Sequence, residues 1–156
     1  MSRKPKYKKK TVKPDRIYSN KLVSKFINHV MLDGKKKVAE KLVYDSITVL
    51  SEKTNVDALE AFTKAIESVC PRMEVKSRRV GGSTYQVPVE VERRRSYTLA
   101  MKWIINFSRK KSGTSFSDLL STELIDAYNN TGSTAKKRDD THKMAEANKA
   151  FAHFRW

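Results

Sequence analysis

Apolar residues recur at spacings of three and four along six segments of the chain, a pattern typical of helices that bury one face. The pattern predicts helices over about 19–32, 38–50, 57–70, 92–110, 115–129 and 133–149. The first five carry apolar stripes and are expected to build the core, whereas the sixth is weakly apolar and is expected at the periphery. The stripes include Val38 in the second helix, either Phe107 or Ser108 in the fourth, and Ala135, Met144, Ala145 and Ala147 in the sixth.

Several helix ends are marked by residues that cap or stop helices. Ser19 or Asn20 can cap the first helix, Asp57 the third and Ser115 the fifth, because their short polar side chains accept hydrogen bonds from free backbone N–H groups. Pro71 is expected to end the third helix.

The helical spacing of apolar residues is interrupted between the third and fourth predicted helices. Residues 72–80 and 83–91 flank the pair Gly81-Gly82, and two β-leaning runs around such a loop predict a tight hairpin. If Val80 pairs with Ser83, neither face of the hairpin is cleanly apolar toward its tip. The ribbon is therefore expected to protrude as an arm, and a two-stranded arm needs something else to steady it.

The elements predict a mainly α protein. We expect a compact bundle of about six helices with a protruding two-stranded β-hairpin arm, a minor β component, and a disordered basic N-terminal tail. A chain of 156 residues suits one domain. The expected division is a basic extension over 1–16 and a single helical domain over 17–156, with the ribbon at about 72–91.

Charge adds the strongest functional signal. The chain has 33 Lys and Arg residues against 17 Asp and Glu residues, a formal net charge of +16, which indicates a polyanionic partner. A membrane partner is not expected, because no apolar run approaches the roughly 18 residues of a spanning helix. The N-terminus lacks the apolar region of a secretory signal, and Pro5 and Pro14 disfavour a transit peptide. The single cysteine, Cys70, is consistent with a reducing compartment.

The basic residues fall into four clusters that alternate with the core stripes, and each is a candidate phosphate contact. The cluster in the N-terminal extension could instead serve only to keep the protein soluble. The clusters are Arg3, Lys4, Lys8, Lys9 and Lys10; Lys35, Lys36 and Lys37; Lys76, Arg78 and Arg79 with Arg93, Arg94 and Arg95; and Lys102, Arg109, Lys110 and Lys111.

Four aromatic residues lie outside the core stripes and close to cations: Tyr7, Tyr85, Phe154 and Trp156. Such side chains can stack on unpaired bases, or they can pack locally against the protein. The sequence leaves both alternatives open.

Catalytic, metal and cofactor motifs are not found in the sequence. It has no glycine-rich phosphate loop, and the histidines lie on three separate segments without a cysteine pair, so neither a zinc site nor any other cofactor is expected. The acidic pair Asp139-Asp140 is expected to bridge locally to Lys136 and Lys143 rather than to bind a metal. We therefore expect no enzyme and no small-molecule substrate. The histidines are His29, His142 and His153.

Four stretches resemble the family of ribosomal protein seven of the small subunit, in its bacterial or organellar type. They are Asp33-Gly34-Lys35-Lys36 followed by Ala39, Glu40 and Tyr44; the hairpin from Val75 to Val91; Ala100-Met101-Lys102-Trp103-Ile104; and the ending from His142 to Trp156. The resemblance runs from about Pro14 to Trp156, and residues 107–116 depart most from the family pattern.

The resemblance implies a structural component of the small subunit, located in the cytoplasm or in an organellar matrix or stroma. It implies primary binding to the 3′ major domain of 16S-type rRNA through the four basic clusters, and nucleation of the head. It also implies a place at the subunit interface near the decoding region, exit-site tRNA and mRNA, beside ribosomal proteins nine and eleven. The residues expected to face tRNA and mRNA are Arg78, Arg79, Gly81, Gly82, Tyr85, Lys143, Arg155 and Trp156.

Two rival functions are disfavoured. A nucleoid-type architectural DNA-binding protein also uses β-arms, but such arms tend to insert an apolar wedge at the tip, and here the tip is Gly81-Gly82. A nucleic-acid-processing enzyme would need carboxylates or histidines clustered within a basic region, and the sequence shows no such cluster.

Overall fold

The computed structural model describes residues 11–154 of the chain. This part contains six α-helices, one two-stranded antiparallel sheet and a closing 3₁₀ helix, which confirms the mainly α prediction. The order is α1 (Lys21–Val30), α2 (Lys36–Thr54), α3 (Ala58–Ser68), β1 (Met73–Val80), β2 (Ser83–Glu90), α4 (Arg93–Lys110), α5 (Phe116–Tyr128), α6 (Gly132–Ala147) and the 3₁₀ helix (Lys149–Phe154).

The core lies around α5, which packs against α2, α3, α4 and α6. Leu120, Leu124 and Ala127 place three fully buried side chains on the inner face of α5. Phe26 of α1 and Phe62 of α3 meet edge to face with ring centroids 5.3 Å apart, an arrangement that suits the charge distribution of aromatic rings. The apolar stripes predicted for the first five helices therefore meet in one core.

The structure corrects two expectations about the apolar stripes and decides between the two alternatives left open for α4. Val38, assigned to the core stripe of α2, is 56% exposed, because it lies in the first turn of the helix and lines an open cavity rather than the core. Met144 is 43% exposed and Ala147 is also exposed. In α4 the core position belongs to Ser108, which is fully buried and donates a hydrogen bond to the carbonyl oxygen of Ile104 at 2.8 Å.

The inner face of α6 consists of small residues. Thr134, Ala135, Thr141 and Ala145 are buried on this helix. Threonine and alanine allow close approach while giving a weak apolar signal in the sequence. α6 is thus more integral to the fold than its composition predicts, since it contacts α4, α5 and both strands.

The predicted caps are confirmed at three helices. Asn20, rather than Ser19, caps α1, and its side-chain oxygen accepts from the N–H of Leu22 at 2.7 Å. Asp57 caps α3 and Ser115 caps α5 in the same manner. The first helix ends at Val30, two residues before the predicted end.

The ribbon has the predicted register, with Val80 paired to Ser83 and Met73 paired to Glu90. Val87, Pro88 and Val89 are buried at the base of the ribbon, near α6, whereas the loop Gly81-Gly82 is exposed. Both loop glycines have positive φ, +55° and +90°, a conformation that other residues rarely adopt. Two elements of the same chain steady the ribbon: α6, which contacts both strands, and the 3₁₀ helix, which contacts β2.

Asp15 belongs to the folded domain, although the sequence analysis assigned it to the extension. Its carboxylate accepts hydrogen bonds from the N–H groups of Ile17, Tyr18 and Asn20 at 3.1, 2.8 and 2.8 Å. These hydrogen bonds tie Asp15 to the turn that precedes α1. Residues 1–10 of the tail expected over 1–16, and residues 155–156, lie outside the described residues. They include the predicted contacts Arg3, Lys4, Tyr7, Lys8, Lys9, Lys10, Arg155 and Trp156.

Candidate nucleic-acid interface

Two of the predicted basic clusters meet at the C-terminal end of α4. Lys35, between α1 and α2, and Arg109, in the last turn of α4, line one open cavity of about 450 Å³. The guanidinium of Arg109 donates to the carbonyl oxygen of Val30 at 2.9 Å and lies 5.9 Å from the ring centroid of Phe116. These contacts hold the end of α4 beside the loop that carries Lys35.

A second groove continues from this point to α6. Arg109, Lys110 and Lys137 line it together with Trp103, Asn106 and Phe107, around a volume of about 380 Å³. Phe107 and Lys137 also line an adjoining cavity of about 240 Å³ with Ser133, Lys136 and Asp140. We call Lys35, Arg109, Lys110, Lys136 and Lys137 the basic belt, because shared cavities connect all five cations.

Lys136 and Lys137 were not among the candidate contacts predicted from the sequence. The signal was present, since Lys136-Lys137-Arg138 is a run of three cations, but Lys136 was expected to bridge to the acidic pair. Asp139 pairs instead with Arg138 at 2.6 Å. Bridges from Asp139 to Lys136 or Lys143 are not among the ion pairs of residues 11–154.

Lys102 lies near α1, where it acts on a histidine. Burial lowers the pKa of His29 below its ordinary value, and the nearby charges of Lys102 and Lys25 lower it further. The ring is therefore neutral around neutral pH, and the positive charge on this side of the molecule comes from the two lysines.

Lys111 has a different environment from its neighbours. Its ammonium lies 2.7 Å from the Oε2 of Glu123, which is fully buried, and 3.8 Å from a carboxylate oxygen of Asp126. Glu123 also accepts a hydrogen bond from the N–H of Thr134 at 3.2 Å. This candidate phosphate contact therefore joins the end of α4 to α5 and α6.

The cations at the base of the ribbon surround one buried carboxylate. The guanidinium of Arg95 donates two hydrogen bonds to the carboxylate of Glu74, from Nε to Oε1 at 2.9 Å and from Nη2 to Oε2 at 2.9 Å. The ammonium of Lys76 lies 3.4 Å from the same Oε1. Burial raises the pKa of Glu74, but the hydrogen bonds and charges of Arg95 and Lys76 outweigh it and leave the pKa lowered. Arg95 thus anchors α4 to β1, whereas the pair between Lys76 and Glu74 lies within β1.

The ribbon-base cations and the basic belt lie at opposite ends of α4. α4 runs from Arg93 to Lys110, so its ends are roughly 25 Å apart at 1.5 Å per residue. Arg94 lines a small open cavity at the ribbon end together with Glu92, Arg95 and Thr98. Within the described ranges, no carboxylate forms an ion pair with Lys37, Arg79 or Arg94.

The residues expected to face tRNA lie at the tip of the ribbon and on neighbouring elements. Arg79, Gly81 and Gly82 are exposed at the tip, and Lys143 is exposed on α6. The ring of Tyr85 packs against Phe151 and Phe154, with centroids 5.3 and 5.0 Å apart. Of the two alternatives left open for Tyr85 and Phe154, local packing is what the structure shows.

Two features are absent from the described residues. Residues 11–154 contain no group of three or more His, Cys, Asp or Glu side chains that could hold a metal ion. In the same part of the chain, none of the helices is long and apolar enough to cross a membrane.

The chain is similar to a known protein family over most of its length. The family model described as "Ribosomal protein S7p/S5e" matches residues 2–149. The chain is 55% identical to the small ribosomal subunit protein uS7 of Natranaerobius thermophilus and 54% identical to that of Thermomicrobium roseum. It is 51% identical to the uS7 protein of Mycoplasma mobile. Each alignment covers 156 residues and the whole of both chains.

Proposed function

The chain belongs to the ribosomal protein S7p/S5e family, and from this premise we propose that it binds the 3′ major domain of small-subunit rRNA directly and nucleates the head. As a member of this family it is a protein of the small ribosomal subunit that associates with rRNA, not an enzyme. The proposal concerns which rRNA domain it binds, with which residues, and what that binding does during assembly.

The observation that carries the proposal is the basic belt. Cations from the α1–α2 loop, α4 and α6 line connected cavities, although like charges held this close repel one another. Among the described residues, two carboxylates line the same cavities, Asp33 beside Lys35 and Asp140 beside Lys136 and Lys137, so the five cations outnumber them. A phosphate backbone would neutralise the belt and release its own counterions, which favours binding.

Residues that join the elements of the body have a second role in the proposal. Arg95 with Glu74 anchors the ribbon to α4, and Lys111 with Glu123 anchors α4 to α5. These pairs hold the phosphate contacts in a fixed arrangement. Lys36, Lys37, Arg93, Arg94 and Lys102 extend the contacts beyond the belt, and the extension with Arg3, Lys4, Lys8, Lys9 and Lys10 adds to them.

The salt dependence of rRNA binding tests the belt. Replacing Lys110 or Lys137 with Gln is expected to lower affinity for a 3′-major-domain fragment and to reduce the slope of log K against log salt by about one unit each. Lys53→Gln is the matched control, because Lys53 is exposed in the last turn of α2. Equal slopes for all three variants and the wild type would contradict the proposal.

The ribbon tip is proposed to reach exit-site tRNA and mRNA in the assembled ribosome. Support comes from the exposed tip and from the exposed side chain of Arg79 beside it. In the sequence, Arg155 and Trp156 directly follow the 3₁₀ helix that contacts β2. Replacing Arg78 and Arg79 with Ala is expected to speed the loss of exit-site tRNA from purified ribosomes, with Lys53→Gln again as control. Unchanged tRNA release would contradict this role.

Position in the cell and in the subunit completes the proposal. The chain is proposed to act in the cytoplasm, within the head at the subunit interface, beside ribosomal proteins nine and eleven. An architectural DNA-binding protein is the rival function. Such a protein would have the same basic surface but would bind duplex DNA as tightly as rRNA. Direct competition between rRNA and duplex DNA separates the two functions.

A further inference from the structure

Helix α4 carries a second face in addition to its core stripe. Trp103, Asn106, Phe107 and Lys110 stand at spacings of three and four, so they form one continuous strip along the helix. The core stripe of α4 is a separate set that includes Ala100, Ile104 and Ser108. Two large aromatic rings are thus only half-buried on a helix whose core contacts are already made.

Helix α6 presents a matching strip to the same groove. Ser133, Lys136, Lys137 and Asp140 recur at the same helical spacing and line the cavity next to Phe107. α4 and α6 are in contact, so the two strips form the two walls of the groove. The larger cavity, about 380 Å³, falls within the roughly 300–1,000 Å³ range of small-ligand sites.

The groove combines aromatic surface with positive charge. The ammonium of Lys110 lies 5.6 Å from the ring centroid of Phe107, and Lys137 lines the same cavity from the opposite helix. An unpaired nucleotide has the complementary chemistry, since its base has a flat π face and its phosphate is negative. An acidic peptide would match the cations but would leave the flat aromatic surface without a planar partner.

Polar groups in the groove could contact the edge of a base. The side-chain amide of Asn106 can both donate and accept hydrogen bonds, and the carboxylate of Asp140 can accept from an exocyclic amino group. Asn106 shares a cavity with Trp103 and Phe107, and Asp140 shares the adjoining cavity with Phe107.

We propose that the groove between α4 and α6 holds an unpaired rRNA base stacked on Trp103 and Phe107, with its flanking phosphates on Lys110 and Lys137. This inference deepens the proposed function and rests on it. It assigns to the groove a contact with a base, whereas the rest of the basic belt contacts only the phosphate backbone.

The fluorescence of Trp103 tests the stacking directly. The chain has two tryptophans, so the full chain carrying Trp156→Phe reports on Trp103 alone. Titration with a 3′-major-domain rRNA fragment is expected to quench most of the Trp103 emission at saturation, because a stacked base contacts the indole face. Filter binding of labelled RNA in the same samples measures complex formation independently.

Substitutions separate stacking from charge. Trp103→Ala is expected to weaken rRNA binding about 5- to 150-fold, from the 1–3 kcal/mol typical of one stacked base, without changing the salt slope. Trp103→Phe is expected to retain most of the affinity. Met144→Ala is the matched control, since Met144 is an exposed apolar residue of α6 that does not line the groove. Thermal unfolding of each variant checks that the fold is intact.

The outcomes distinguish the inference from the proposed function. If rRNA binds but Trp103 emission is unchanged at saturation, the stacking inference is overturned while the rRNA-binding function stands. If emission falls only when other small-subunit proteins are added, the groove takes a protein and the inference is again overturned. If the rRNA fragment does not bind at all, both the inference and the proposed function fail.

Discussion

Lys110 and Lys111 follow each other at the end of α4, and their side chains have different surroundings. The ammonium of Lys110 lies in the open groove near Phe107, whereas that of Lys111 meets the fully buried carboxylate of Glu123. Without this cation, the buried carboxylate of Glu123 would keep only neutral donors such as the N–H of Thr134, and removing one partner of a buried ion pair is strongly destabilising. One lysine is therefore available to RNA, and the other holds the fold.

Replacing each lysine with Gln is predicted to separate the two roles. Lys111→Gln is expected to lower the free energy of unfolding by roughly 3 kcal/mol, because it strands Glu123. Lys110→Gln is expected to change it by less than about 0.5 kcal/mol, as is usual for an exposed side chain. Urea unfolding measures both values. Equal stability of the two variants would contradict the assignment of Lys111 to the fold.

His142 is predicted to make stability depend on pH. Burial lowers the pKa of His142, and the charges of Arg138 and Arg72 lower it further against the opposite influence of Asp139. The neutral ring accepts a hydrogen bond at Nε2 from the N–H of Arg72 at 2.9 Å. Between this lowered pKa and the ordinary value of about 6.5, the unfolded chain binds more protons, so the free energy of unfolding falls as pH drops through that window.

Urea unfolding at about pH 7.5 and about pH 5.5 tests this dependence. His142→Gln is expected to show a smaller loss of stability at the lower pH than the wild type does. His153→Gln is the control, because His153 is exposed on the 3₁₀ helix. The same loss in the wild type and in His142→Gln would show that His142 does not cause the effect.

At the level of elements, most boundaries were predictable because the local signals agreed. Helical apolar spacing, the caps at Asn20, Asp57 and Ser115, and the loop Gly81-Gly82 all act within a few residues, and the structure confirms each of them. Val38 was wrongly placed in the core because helical spacing alone does not show which part of a stripe a neighbouring element covers.

The closing 3₁₀ helix was not predictable as a support for the ribbon. Its contacts with Tyr85 join residues more than 60 positions apart in the chain, through Phe151 and Phe154. The sequence indicated only that the ribbon needs support and that these aromatics lie outside the core. The surface on which they pack depends on the position of α6 relative to the strands, because α6 precedes the 3₁₀ helix.

Removing this support is predicted to loosen the ribbon while leaving the helical body unchanged. Each aromatic contact contributes about 0.5–1.5 kcal/mol, so Phe151→Ala combined with Phe154→Ala is expected to speed amide exchange in residues 77–86 about tenfold or more. Amides of α1 should keep their protection. Met144→Ala is the control, and unchanged exchange in the ribbon of the double variant would contradict the role of the 3₁₀ helix.

At the level of the whole molecule, the basic belt depends on tertiary packing. The sequence shows Lys35 to Lys37 and Arg109 to Lys111 as separate runs, and only the packing of α1 and α6 around α4 brings Lys35, Arg109 and Lys137 into connected cavities. The same packing commits Arg95 to Glu74, a pair 21 residues apart that neither strand register nor helical spacing indicates. Charge runs therefore indicated Lys35, Arg109 and Lys110 as candidate contacts but missed Lys136 and Lys137, and they did not show which cations pair with carboxylates of the fold.

The central claim is selective binding of one rRNA domain, and a three-way titration tests it most directly. Purified protein is titrated with a 3′-major-domain rRNA fragment, an rRNA fragment from another domain, and duplex DNA, each at a low and a high salt concentration. We predict a preference for the first fragment that persists at the higher salt, because fixed contacts add to the charge. Equal binding to all three, lost together as salt rises, would contradict the claim and favour the architectural DNA-binding function.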